Sequence, residues 1–204
     1  MALPKEPRQK MINLMYLVLT ALLALNVSAE ILNAFMTVNN SLSSASTTIE
    51  EKNKTVFSSF DSLLADSKTQ ERARIWKPYA DQAKQLADAT VAYLQSLQMD
   101  LKKASGYDPK TGEFQLDELE EPTRLLADPG VKGNELLKKL TDFKNSLLAI
   151  SPELKKEFEN SLPLDLKVPK SSGAVQKDWK NSYFNMVPTI AAITILSKFE
   201  NDVR

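Results

Sequence analysis

The hydrophobic positions of the chain change their spacing twice. Residues 11–27 read MINLMYLVLTALLALNV, a run without charge. At about 1.5 Å per residue this run reaches about 25 Å, enough for a helix crossing a bilayer with little tilt. Ile31, Leu32, Ala34 and Phe35 carry the apolar pattern past Glu30, so the spacing predicts one membrane helix over residues 11–36. Beyond it the pattern becomes amphipathic. Val38, Leu42, Ala45, Ile49, Val56, Phe57, Phe60, Leu63 and Leu64 recur at three- and four-residue steps, which predicts that the helix continues outward. Residues 41–48 are poor in strong helix formers, and a frayed or bent section is expected around residues 39–46.

Asp66, Ser67 and Thr69 interrupt the pattern and predict a cap for a second helix over residues 70–104. Its stripe is Ile75, Tyr79, Ala83, Leu86, Thr90, Leu94, Leu97 and Leu101, with Pro78 as a kink or a new start. From Gly106 to Gly112 the residues are turn formers, and residues 113–116 read as extended. Asn134 is the predicted cap of a third helix over residues 135–149, and Ser151-Pro152-Glu153 starts a short fourth. Residues 164–169 alternate like a strand that could pair with the stretch around Phe114. Asp178 and Trp179 open a helix toward Phe184, and Pro188 precedes a last apolar helix that is too short to span. The fold class is therefore all-α, a single N-terminal transmembrane helix running into a helical bundle with at most minor β. Residues 1–10 form a basic leader and residues 37–204 one domain. A strong helix runs to Arg204 without a stop signal, from which a longer natural chain with further domains is expected.

Composition narrows the chemistry. Lys and Arg number 26 and Asp and Glu 26, so no global field attracts nucleic acid. Cysteine and histidine are both absent, which removes disulfides, the usual zinc ligands and the common nucleophile pairs. Among five glycines none sits in a phosphate-cradling motif. The expectation is a protein that is not an enzyme and carries no cofactor and no metal. The acidic stretch at residues 117–121 lacks the spacing and the turn glycine of a calcium loop and reads as a solvated face.

Lys5, Arg8 and Lys10 precede the apolar run, and no base follows it until Lys52. The positive-inside bias then leaves the N-terminus in the cytoplasm and the rest of the chain outside. The rival reading is a cleaved signal peptide ending near Ala29, but the run exceeds the usual apolar core of about 7 to 15 residues. Arg8 falls in the opening turn, where a cation opposes the helix dipole at a cost of up to about 1 kcal/mol. It either snorkels to headgroups or pairs with a carboxylate in the membrane. Asn13, Tyr16 and Thr20 lie within about 60° of one another on the helix, a polar stripe suited to a partner helix or a second copy. Glu30 sits at the outer edge, where it caps, is solvated or handles protons.

The stretch PRQKMINLMYLVLTALLALNVSAEILNAF, residues 7–35, resembles the opening of the GldM family of gliding motility proteins, called PorM in non-gliding relatives. The later helices are similar to the family's first extracytoplasmic domain in length and helix content. The resemblance implies an inner-membrane motor subunit of the type IX secretion system, driven by the proton gradient and transmitting motion into the periplasm. It further implies a homodimer whose membrane helices sit inside a ring of GldL helices, with outer periplasmic components as further partners. Within it Arg8 matches the family's membrane-edge arginine, paired with a GldL glutamate, and Tyr16 and Glu30 match family positions. The alternative from another class is a membrane-anchored periplasmic sensor or adaptor, although no signalling domain or return span is visible.

Overall fold

A computed structural model of the chain describes residues 7–25, 28–127, 132–168 and 178–204, without the side chains of residues 21–25. All regular structure among the described residues is helical, as expected for an all-α protein. Helix α1 covers Pro7–Leu25, α2 Ala29–Ala65 and α3 Gln70–Ala104. A single turn, α4 (Glu120–Pro122), runs into a π-helical turn at Thr123–Ala127. Then follow α5 (Lys132–Ala149), α6 (Pro152–Phe158), α7 (Trp179–Phe184) and α8 (Thr189–Val203).

The helix expected over residues 11–36 is divided. Ser28 is extended, with φ −65° and ψ 146°, and its side chain accepts a hydrogen bond from the Ile31 amide at 3.4 Å. A serine in that conformation starts a helix, so α2 begins anew at Ala29 with Glu30 in its first turn. The cap at Ser28 thus falls inside the stretch expected to be one helix. Helix α2 then shows no break at residues 39–46. There Ser41 bonds the Thr37 carbonyl at 3.0 Å, Ser44 that of Asn40 at 3.1 Å and Thr48 that of Ser44 at 3.0 Å. These hydroxyls are satisfied one turn back along the helix and do not compete with it.

The core is built by the chain from α3 onward. Leu94, Leu97 and Leu101 of α3 meet Leu136, Leu140 and Phe143 of α5, and Ile193, Leu196 and Phe199 of α8, around Leu126, Leu164 and Phe184. Helix α8 is buried on nearly all sides, from Thr189 to Val203, as its unbroken apolar run requires. An aromatic group closes one side: Trp179 lies 5.0 Å from Tyr183 and 5.8 Å from Phe199 between ring centres. Ile75, expected on the core stripe of α3, is instead 61% exposed, while Val91 is buried. Pro78 stands inside α3 without dividing it.

Neither expected strand forms. Residues 113–116 carry no regular structure, and their backbone serves helix ends: the Gln115 amide bonds the Ser105 carbonyl at 2.8 Å, and Leu116 accepts from Ile190 at 3.2 Å. The alternation at residues 164–168 has another cause. Leu164 and Leu166 turn into the core, and no sheet edge is present among the described residues to pair them. Pro169 lies outside the described residues. The acidic stretch docks the start of α8: the Glu118 carbonyl accepts from the Thr189 amide at 2.8 Å, and the Glu118 side chain accepts from the Glu120 amide. Asn134 is not a cap, since α5 begins two residues earlier at Lys132. That early start brings Gly133 against the π-helical turn, where an added Cβ would lie 1.8 Å from the Leu126 carbonyl oxygen.

Candidate functional site

Helix α1 carries most of the residues singled out from sequence, and all its described side chains, from Pro7 to Thr20, are exposed. Met11, Leu14, Met15, Tyr16 and Leu17 are between 63 and 73% exposed. So large an apolar surface is costly to leave in water. Arg8 stands exposed in the first turn. Asn13, Tyr16 and Thr20 share one helix at the expected spacing, but they are not equivalent. The Thr20 hydroxyl donates to the Tyr16 carbonyl and lies 3.2 Å from that of Leu17, so it is satisfied inside the helix. A threonine bonded in this way tolerates an apolar environment without a partner. Asn13 and Tyr16 remain as the polar groups of the stripe.

Among the described residues no helix is long and apolar enough to cross a membrane. Helix α1 opens with Pro-Arg-Gln-Lys, which places two cations in its first turn. Glu30 belongs to the next helix. Exposed in the first turn of α2, it complements the positive end of the helix dipole beside the Ser28 cap.

A second feature was not legible in the sequence. Helix α8 lies along α2 in the same direction: Thr194 faces the Phe35 carbonyl at 3.4 Å, Ser197 bonds Asn39 at 2.8 Å, and Asn201 bonds the Leu42 carbonyl at 2.9 Å. At the far end the Asn53 side chain donates to the Arg204 carbonyl at 2.9 Å. The Arg204 guanidinium meets Glu50 at 3.4 Å and Glu200 at 2.9 Å. Gln95 of α3 adds a 2.8 Å bond to Glu200. A cleft of about 310 Å³ runs beside this seam, lined by polar residues such as Ser43, Thr47 and Gln98. Lys54, by hydrogen bond and charge, and then Arg204 hold the Glu50 carboxyl below its ordinary range. Burial pushes Asp202, on α8, above its usual value despite a 2.6 Å ion pair with Lys198.

A cleft of about 370 Å³ opens where α2 turns into α3, lined by Phe60, Trp76, Tyr79, Leu148 and Phe158. Its walls are almost wholly apolar.

The bundle's sequence was compared with known families. The model of the GldM N-terminal domain matches residues 30–204, which run from the first turn of α2 through α8. The chain belongs to the GldM family. The family assignment thus rests on the bundle, whereas the stretch that first resembled the family lies mostly before it, at residues 7–35. Membership places the chain with the proteins of gliding motility and type IX secretion. A comparison with curated proteins found no match.

Proposed function

We propose that this GldM-family chain is the inner-membrane motor subunit of the type IX secretion and gliding machinery. Residues 11–27 anchor it, the leader lies in the cytoplasm and the bundle stands in the periplasm. The observation that carries the reading is the exposed apolar surface of α1 beside a bundle that has its own complete core. An apolar helix that the bundle does not cover is covered by lipid or by other helices. Snorkelling of Arg8 and Lys10 carries their charges to the headgroups at the start of the apolar run.

In this reading α1 pairs with α1 of a second copy inside a ring of GldL-like helices. Asn13 and Tyr16 form the polar contact, and Arg8 meets a ring carboxylate. A cation held at membrane depth costs about 2.5 to 3.5 kcal/mol on insertion scales, which a carboxylate partner offsets. Each proton crossing about 100 mV releases about 2.3 kcal/mol, comparable to the cost of breaking such a pair. Protonation of the ring carboxylate then frees Arg8, deprotonation recaptures it, and α2 receives the resulting movement on its way to outer periplasmic components.

The test is secretion and gliding in cells carrying Arg8→Ala or Arg8→Lys in the full-length protein. Arg8→Ala is expected to insert and fold normally yet abolish both, while Arg8→Lys keeps part of the function because the charge survives without the forked geometry. Normal secretion with Arg8→Ala removes the residue from the mechanism.

A further inference from the structure

We infer that α2 is a separable strut: it leaves the bundle along its seam with α8 while the core of α3 to α8 stays folded. No residue of α2 is buried, and none belongs to the hydrophobic core or to the side chains packed against it. The side chains of the core thus all come from outside α2, although α2 is 37 residues long and lies over α8 and α3. Along the seam its half-buried side chains include Phe35, Asn39, Leu42, Ser46, Ile49 and Asn53, at alternating four- and three-residue steps. This is a heptad seam in which every second position is polar. Polar residues at such positions fix the register of two helices and lower the stability of their pairing.

The bonds across the seam are cheap to exchange for water. Phe35 and Leu42 contribute backbone carbonyls from within α2, which have helical partners of their own. The adjoining polar cleft already places the seam next to solvent. Asn201 has its Oδ1 buried with no hydrogen-bond partner among the described residues, and opening hydrates that oxygen. At its two ends α2 meets short links: Ser28 is extended before it, and residues 66–69 join it to α3. The inference concerns the bundle alone and stands whether or not α1 is a membrane anchor.

The chain has no native cysteine, so single thiols report opening directly. Thr194 is 7% exposed and faces α2, whereas Ala192, two residues away on the same helix, is fully buried in the core. The full chain is made with Thr194→Cys or with Ala192→Cys, and each thiol is labelled with a chromogenic disulfide below the urea concentration that unfolds the bundle. Ala127→Cys, also in the core, serves as a second global reporter. The Thr194→Cys thiol is expected to react at least about 100-fold faster than either core thiol, with a urea dependence that is measurable but clearly smaller than theirs, since opening the seam exposes only part of the surface that global unfolding exposes. Equal rates with equal urea dependence would mean that α2 leaves only when the whole bundle unfolds, and would overturn the inference. Failure of the Arg8 test leaves these rates untouched, so the two readings fail separately.

Discussion

Replacing Gly133 with alanine puts a methyl group where the carbonyl oxygen of Leu126 already lies. The added Cβ would stand 1.8 Å from that oxygen and 3.0 Å from both the Leu126 carbonyl carbon and the Lys180 Cβ. Two of these three neighbours are backbone atoms, so no side chain can rotate out of the way. To bring the oxygen even to 3.0 Å, α5 and the π-helical turn must part by about 1.2 Å, from the difference 3.0 − 1.8. Leu126, Ala127, Leu136 and Leu140, all buried, lie on those two elements and move with them. Overpacking of this kind costs about 1 to 3 kcal/mol, and a backbone clash belongs at the upper end. For a chain of this size about 3 kcal/mol lowers Tm by roughly 6 to 12 °C. Circular dichroism at 222 nm during heating reads the shift. Gly112→Ala is the control: its φ of +76° disfavours a side chain, but nothing lies within 4 Å of the added Cβ. That change is expected to cost about 1 kcal/mol and roughly 2 to 4 °C. If Gly133→Ala shifts Tm no more than Gly112→Ala, the close approach of α5 to the π-helical turn is not what holds this corner.

Leu140→Ala, at a fully buried site, should lower stability by about 3 kcal/mol, whereas Leu42→Ala, on the half-buried seam of α2, should lower it by about 1 kcal/mol. Urea midpoints compare the two, and equal losses would place α2 in the core after all. Asp202→Asn addresses the carboxyl that burial raises. Because its folded pKa lies above the unfolded value, the folded state takes up the proton first. Wild-type stability should gain from this site as pH falls from neutral through the raised pKa, the gain being complete below the ordinary carboxylate range. The amide of Asp202→Asn stands for the uncharged form at every pH, so the variant should be the more stable at about pH 7 and should lack this gain toward about pH 4. A variant less stable than wild type at about pH 7 would show that the Lys198 pair outweighs the burial.

The sequence by itself determined the elements and their order. Three- and four-residue spacing sets helices wherever a long periodic stretch exists, so α3 was placed at residues 70–104 and α8 was recognised as a helix for the interior. It also determined the family, since residues 7–35 carried a resemblance that the match to residues 30–204 then showed on other ground. Periodicity says which residues lie on one face, but not what that face meets. Hence Ile75, placed on the apolar stripe of α3, is exposed, and the apolar positions that predicted α2 as an amphipathic continuation outward include none that is buried. The break at Ser28 depended on a local competition, in which a cap won over an apolar pattern continuous on both sides. Alternation at residues 164–168 specifies which side chains turn inward, but a strand also needs a neighbour with free backbone groups, and here those groups belong to helix ends. Only the tertiary structure brought residues 35–53 beside residues 194–204 and made Ser and Asn, which read as solvated positions along the chain, into the seam between α2 and the bundle. Contacts between residues about 150 positions apart leave no local periodic signal, because each side of such a pair satisfies its own helix whether or not the other is present.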